Sequence, residues 1–180
     1  MKTYILIITT LFFASHSYAQ KYYTKTGKID FEASVEVFEP VVASHDNVTS
    51  VLDTSNGQVA ILALVKGFRF RNALMEEHFN ENYIESDTYP NASFKGTIVD
   101  FSIEDLENKS SYELYGILTL HGESQKIKTT IILNKVDDVI VLSTDFSVDP
   151  NDFDIGIPGV VSNKIAETTH ITSNFNLVKR

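Results

Sequence analysis

The stretch Phe68-Arg69-Phe70-Arg71, Asn72-Ala73-Leu74-Met75-Glu76-Glu77-His78-Phe79, continuing through Tyr83 and Tyr89-Pro90 to Phe94, decides how this chain is read. It alternates as a strand, switches to the spacing of one short amphipathic helix, turns at Tyr89-Pro90 and returns to strand. Nearly all the remaining sequence carries strand signals. A lone helix inserted in an all-β chain usually plugs or covers something, such as the opening of a barrel. Residues 72–83 are predicted to form it. Asn72 is placed to cap its start, with Glu76 and Glu77 near its positive end. Met75, Phe79 and Tyr83 follow at i, i+4 and i+8 and share one stripe. Such a stripe serves as ordinary core, as lining at the mouth of an interior cavity, or as both.

Outward from the helix, period-two alternation predicts strands on both sides. Ile29, Phe31, Ala33, Val35 and Val37 alternate with Asp30, Glu32, Ser34 and Glu36, giving one buried and one wet face. Val59, Ile61 and Leu62 begin a strand expected to run on to Phe68 and Phe70. Residues 94–103 form the next. Tyr112, Leu114, Gly116, Leu118 and Leu120 share a face up to the turn at His121-Gly122, and Ile127, Thr129, Ile131 and Leu133 repeat the pattern. Asp137-Asp138 is a two-residue hairpin loop between Val136 and Val139. Leu142, Phe146 and Val148 continue on one face, and Ile171, Phe175 and Leu177 close the chain. Residues 41–56 give no clear pattern before the turn at Ser55-Asn56-Gly57. The total is roughly eight antiparallel strands joined by short turns, which suits a sandwich or a closed barrel. An eight-stranded barrel has an interior just wide enough for side chains or one slender ligand.

Residues 1–19 read as an export signal: Lys2, an apolar core from Tyr4 to Phe13, and small residues at Ser17 and Ala19. Cleavage after Ala19 leaves Gln20 first in a mature chain, residues 20–180, that forms one domain without repeats or linkers. The apolar run is too short for the ~20 residues of a spanning helix, so no transmembrane anchor is expected. A periplasmic or secreted, soluble protein follows.

The chain has no cysteine, so disulfides, lipid attachment at a cleavage-site Cys and thiol chemistry are excluded. The fold must be held by its core, for which about 160 mature residues suffice. Net charge is −9, which argues against nucleic acid and anionic membrane surfaces.

Catalytic and metal signals are weak. Of the five histidines, His16 leaves with the signal, and His121 sits at a turn where a structural hydrogen bond is expected. His78 and Glu81 lie one helical turn apart with no third ligand at metal spacing. Asp149, Asp152 and Asp154 lack the Gly and Glu of an EF-hand and read as a strand-end turn. There is no G-x-S-x-G, P-loop or G-x-G-x-x-G. No catalytic residue, metal or cofactor is assigned. Asn47, Asn91 and Asn108 begin N-x-S/T sequons, which matter only in a eukaryotic secretory host.

Met75-Glu-Glu-His-Phe79, Tyr89-Pro-Asn-Ala-Ser-Phe94, Gly116-Ile-Leu-Thr-Leu-His-Gly122, and Phe146-Ser-Val-Asp149 followed by Asp152-Phe-Asp-Ile155 occur in the order seen in the YceI-like proteins. The chain resembles that family over nearly all its mature length. It departs from the family in the Arg-Asn-Ala run before Met75 and in the acidic Glu104-Asp105-Leu106-Glu107. The Gly-x-Trp of true lipocalins is absent, since there is no Trp.

The resemblance implies an extended, lipocalin-like, eight-stranded antiparallel barrel with a helix beside its opening. It also implies a non-enzymatic protein that carries an apolar, isoprenoid-type lipid in an internal tunnel. By position, Phe68, Phe70, Met75, Phe79, Phe94, Leu118, Leu120, Phe146, Val148 and Phe153 are expected to face that tunnel. Burial of hydrocarbon alone supplies micromolar affinity, so no polar anchor is required. The alternative is a barrel with a filled core acting as an exported interaction or structural protein. A homodimer is left open.

Overall fold

The computed structural model describes residues 21–180. The export signal and its cleavage after Ala19 lie outside the described residues, as does His16. In chain order the elements are β1 (Lys21–Ser34), β2 (Val42–Asp53), β3 (Gln58–Leu64), β4 (Arg69–Phe70), α1 (Ala73–His78), β5 (Asn91–Ile98), β6 (Ser111–Leu120), β7 (Glu123–Val136), β8 (Val139–Val148) and β9 (Ile165–Lys179).

Hydrogen-bonded neighbours run β1-β9-β8-β7-β6-β5-β3-β2, and β1 pairs with β2 to close the ring. Every pairing is antiparallel. The described residues therefore form a closed barrel of eight strands, which removes the exposed edges of an open sheet. β4 is a two-residue addition to the start of β2, through Ala43↔Phe70 and Ser44↔Arg69. The sandwich left open by the strand pattern does not form.

The alternation read in β6 through β9 sets the inner face. Leu133, Leu142 and Phe175 meet as consecutive register partners and are fully buried. Ile140, Leu177 and Leu52 are equally buried, with Val59 and Tyr22 close behind. Each such side chain contributes about 1.5–3 kcal/mol on burial. Together they pack one half of the barrel solid. Val136 pairs with Val139 around Asp137, whose φ of 53° fits the tight hairpin expected there.

Three expectations need correction. β1 ends at Ser34, and Val37, read as a buried strand position, is 81% exposed in the following turn. β3 stops at Leu64; a 3-10 turn (Val65–Gly67) intervenes, and Phe70 then pairs with β2 instead of prolonging β3. The strand expected over 94–103 spans Asn91–Ile98. The unassigned region 41–56 contains β2, with 12 residues one of the longer strands.

The helix begins where its cap predicted. Asn72 Oδ1 accepts from the amides of Leu74 (2.9 Å) and Met75 (3.4 Å). Glu76 ties it back to β4, taking the Phe70 amide at 3.1 Å and pairing with Arg69 at 3.0 Å. After His78 the coil widens into a π-turn (Phe79–Tyr83), closed by the Ile84 amide on the Phe79 carbonyl at 2.9 Å. The regular helix is thus shorter than predicted, but its stripe still faces the barrel.

Candidate ligand-binding cavity

Above the packed half the barrel is hollow. The cavity measures about 620 Å³ and reaches from fully buried Ile131 and Leu142 to an exposed rim. That volume lies within the ~300–1,000 Å³ typical of small-molecule sites. Three elements frame the mouth: α1 with Leu74, Met75 and His78; the β1–β2 loop with Phe38 and Glu39; and the β8–β9 loop with Ile157, Val161 and Lys164.

One wall is aromatic. Phe31, Phe68, Phe70 and Phe79 form a ring cluster with centroid separations of 5.1–6.0 Å. The β4–α1 segment brings three of these four together, which explains why the chain leaves the barrel after Leu64. His45, buried on the inner face of β2, supports the cluster edge-on against Phe68 at 5.3 Å. Burial pushes His45 below the ordinary imidazole range, with the Leu64 carbonyl opposing.

The opposite wall depends on two glycines. Gly96 and Gly116 are register partners. A Cβ on Gly116 would lie 2.3 Å from Phe94 Cζ and 2.7 Å from the Lys95 carbonyl; one on Gly96 would lie 2.7 Å from Phe94 Cε1. The Phe94 ring therefore lies across the glycine pair and is held against the wall. Beside it, Ala63 and Ala92 are also register partners, and both line the cavity.

The lining is carbon with few interruptions. Its charged groups, Glu39 and Lys164, and its histidine, His78, are exposed at the rim. Ser93, Thr129, Thr144 and Ser173 supply hydroxyls within the wall. Thr129 donates to the Asp145 carbonyl at 3.0 Å.

Nine of the expected positions lie in this wall: Phe68, Phe70, Met75, Phe79, Phe94, Leu118, Leu120, Phe146 and Val148. Phe153 does not. It is 1% exposed and is buried in a cluster with Val65 and with the lining residues Ile84, Val148 and Ile155. The Pro150–Phe153 turn holds it there, capped by Asp149, which accepts from the Asn151 amide at 2.8 Å. His121 braces the same turn, with Nδ1 3.0 Å from the Phe153 carbonyl and Nε2 3.3 Å from Glu85. The expected list also omitted Phe31, Ile61, Ala63, Leu114, Ile131, Leu142 and Ile171. Most of these carry the alternation of their strands; Ala63 carries no signal of a cavity.

Among the described residues, no group of three His, Asp or Glu side chains is placed to hold a metal ion. No helix among them is long and apolar enough to cross a membrane.

The chain matches the model of the YceI-like domain over residues 12–177. No curated protein matches it. Among solved structures it is similar to a polyisoprenoid binding domain from Saccharophagus degradans implicated in plant cell wall breakdown. The TM-score is 0.74 at 12% identity, covering 90% of this chain and 99% of that one. It is also similar to BcnA of Burkholderia cenocepacia (TM-score 0.65, 15% identity, 84% and 95% covered). A third is the YCEI protein of Campylobacter jejuni (0.59, 13%, 77% and 84%). At these identities the likeness is one of fold.

Proposed function

The chain belongs to the YceI-like family, and from that premise we propose that it is a non-enzymatic carrier or sequestering protein for a linear, isoprenoid-type lipid held in its cavity. The single observation that carries this reading is the apolar hollow of about 620 Å³ above a solid core. A barrel serving only as an interaction or structural scaffold gains stability by filling that space.

The energetics suffice. Roughly 15 buried carbons, at about 0.8 kcal/mol each, contribute about 12 kcal/mol. An ordering cost of about 4 kcal/mol leaves a Kd near micromolar. The ring cluster offers faces to the double bonds of a prenyl chain and the alanines leave it room. Nothing in this reading makes or breaks a covalent bond. Export rests on the signal read over residues 1–19 and places the protein in the periplasm or outside the cell. Mass spectrometry of an organic extract of the purified, exported protein tests the proposal. A stoichiometric prenyl lipid is expected. A lipid-free extract, together with failure of the stripped protein to take up any prenyl chain, refutes it.

A further inference from the structure

Deep in the cavity, one layer above its floor, two hydroxyls stand without partners. Thr144 on β8 and Ser173 on β9 are register partners, and both line the cavity. They are 6% and 8% exposed, and neither hydroxyl oxygen has a hydrogen-bond partner. Their surroundings are carbon: Ile131 is the partner of Thr144 on β7, Ile29 that of Ser173 on β1, and the pair below is Leu142 with Phe175. Buried hydroxyls are almost always paired, and an orphaned one costs stability that valine or alanine would not. Ser50 shares the orphaned state but lies outside the cavity wall, where no ligand reaches it.

We infer that Thr144 and Ser173 form a hydrogen-bonding subsite for the inward end of the lipid, and that this end carries a neutral polar group: a hydroxyl, a carbonyl or a carboxamide. The inference rests on the carrier reading and specifies which lipids it selects. Side chains of register partners stand about 5 Å apart at Cβ, so one oxygen or amide addresses both hydroxyls. Each hydroxyl donates and accepts, which suits any of the three groups. The group is neutral because the charged lining residues, Glu39 and Lys164, sit at the exposed rim. An ionised head in the deep layer would be desolvated and unpaired. The lipid therefore enters polar end first. Hydrocarbon burial still supplies the affinity expected from the sequence, and the subsite adds selectivity for the inward end.

The test uses the delipidated mature protein with geranylgeraniol and the hydrocarbon of the same skeleton lacking the hydroxyl, each displacing bound N-phenyl-1-naphthylamine. The parent is expected to favour the alcohol by about three- to tenfold. Thr144→Val with Ser173→Ala brings the ratio to about one, with no loss of melting temperature in the empty protein. Thr144→Ser keeps the preference. Equal displacement by both probes in the parent, or a preference that survives the double change, overturns the subsite and leaves the carrier reading intact. Displacement by neither probe removes both.

Discussion

Ala63→Leu separates a hollow barrel from a tightly packed one. Ala63 is 2% exposed, lines the cavity, and faces Ala92 across β3 and β5. Leucine adds three carbons at a point where the wall borders open space. Their burial is worth about 2 kcal/mol at 0.8 kcal/mol per carbon, and ordering the side chain costs about 0.5–1 kcal/mol. The empty protein is therefore expected to gain about 1–1.5 kcal/mol, a rise of about 2–6 °C at 2–4 °C per kcal/mol for a chain of this size. The same methyls occupy the ligand's path, so extractable lipid and uptake of geranylgeraniol should fall. The double change Ala63→Leu/Ala92→Leu should abolish them. Urea denaturation of stripped protein measures the first effect, and mass spectrometry with dye displacement measures the second. If this space is in fact filled, the leucine overpacks a core and costs about 1–3 kcal/mol. A destabilised variant that binds as the parent does refutes the reasoning.

Gly116→Ala should cost about 1–3 kcal/mol in urea denaturation, because its Cβ meets the Phe94 ring and the Lys95 carbonyl. Adding Phe94→Leu should recover at least 0.5 kcal/mol of an additive sum, a coupling of roughly the size expected for touching residues; strict additivity counts against the contact. His45 supplies a pH dependence. Its folded value lies below that of the unfolded chain, so the unfolded state binds the extra proton. Stability should be full above about pH 6.5 and should decline as the pH falls from there toward the lowered folded value. His45→Gln should flatten the slope below about pH 6.5, and an unchanged slope assigns it to other groups. Intact mass of the exported protein should begin at Gln20; a soluble species retaining Met1 would exclude the signal as read.

The strands from β6 to β9 were legible because most of their inward positions are apolar, such as Leu114, Ile131, Leu142 and Phe175, and alternate with polar outward ones such as Glu113, Lys128, Asp145 and Asn176. β2 was not, for the opposite reason: its inner face is Ala43, His45, Val48, Ser50 and Leu52, a mixture with no hydropathic period. The end of β3 was misplaced because Ala63-Leu64-Val65 stays apolar into the first residue of the turn at Val65–Gly67. In the candidate site, aromatic positions near the helix were found because they are conspicuous. Ala63, Ala92, Thr144 and Ser173 were missed because their role is to leave space or to stand unpaired within it, and neither leaves a local mark in sequence. Phe153 shows the converse: a ring beside the right motif that is buried without entering the cavity lining.

The solid lower half makes the vessel blind. On the proposed carrier reading a guest cannot pass through; it backs out through the opening by which it came, so loading and unloading compete for one doorway between α1 and the β1–β2 and β8–β9 loops. The depth from doorway to floor is fixed by the packed layer of Leu133, Leu142 and Phe175. A chain longer than that depth must trail its remainder into the surroundings, where an acceptor can seize it before the seated end lets go. Transfer by such a carrier would then take the form of a hand-over at that doorway.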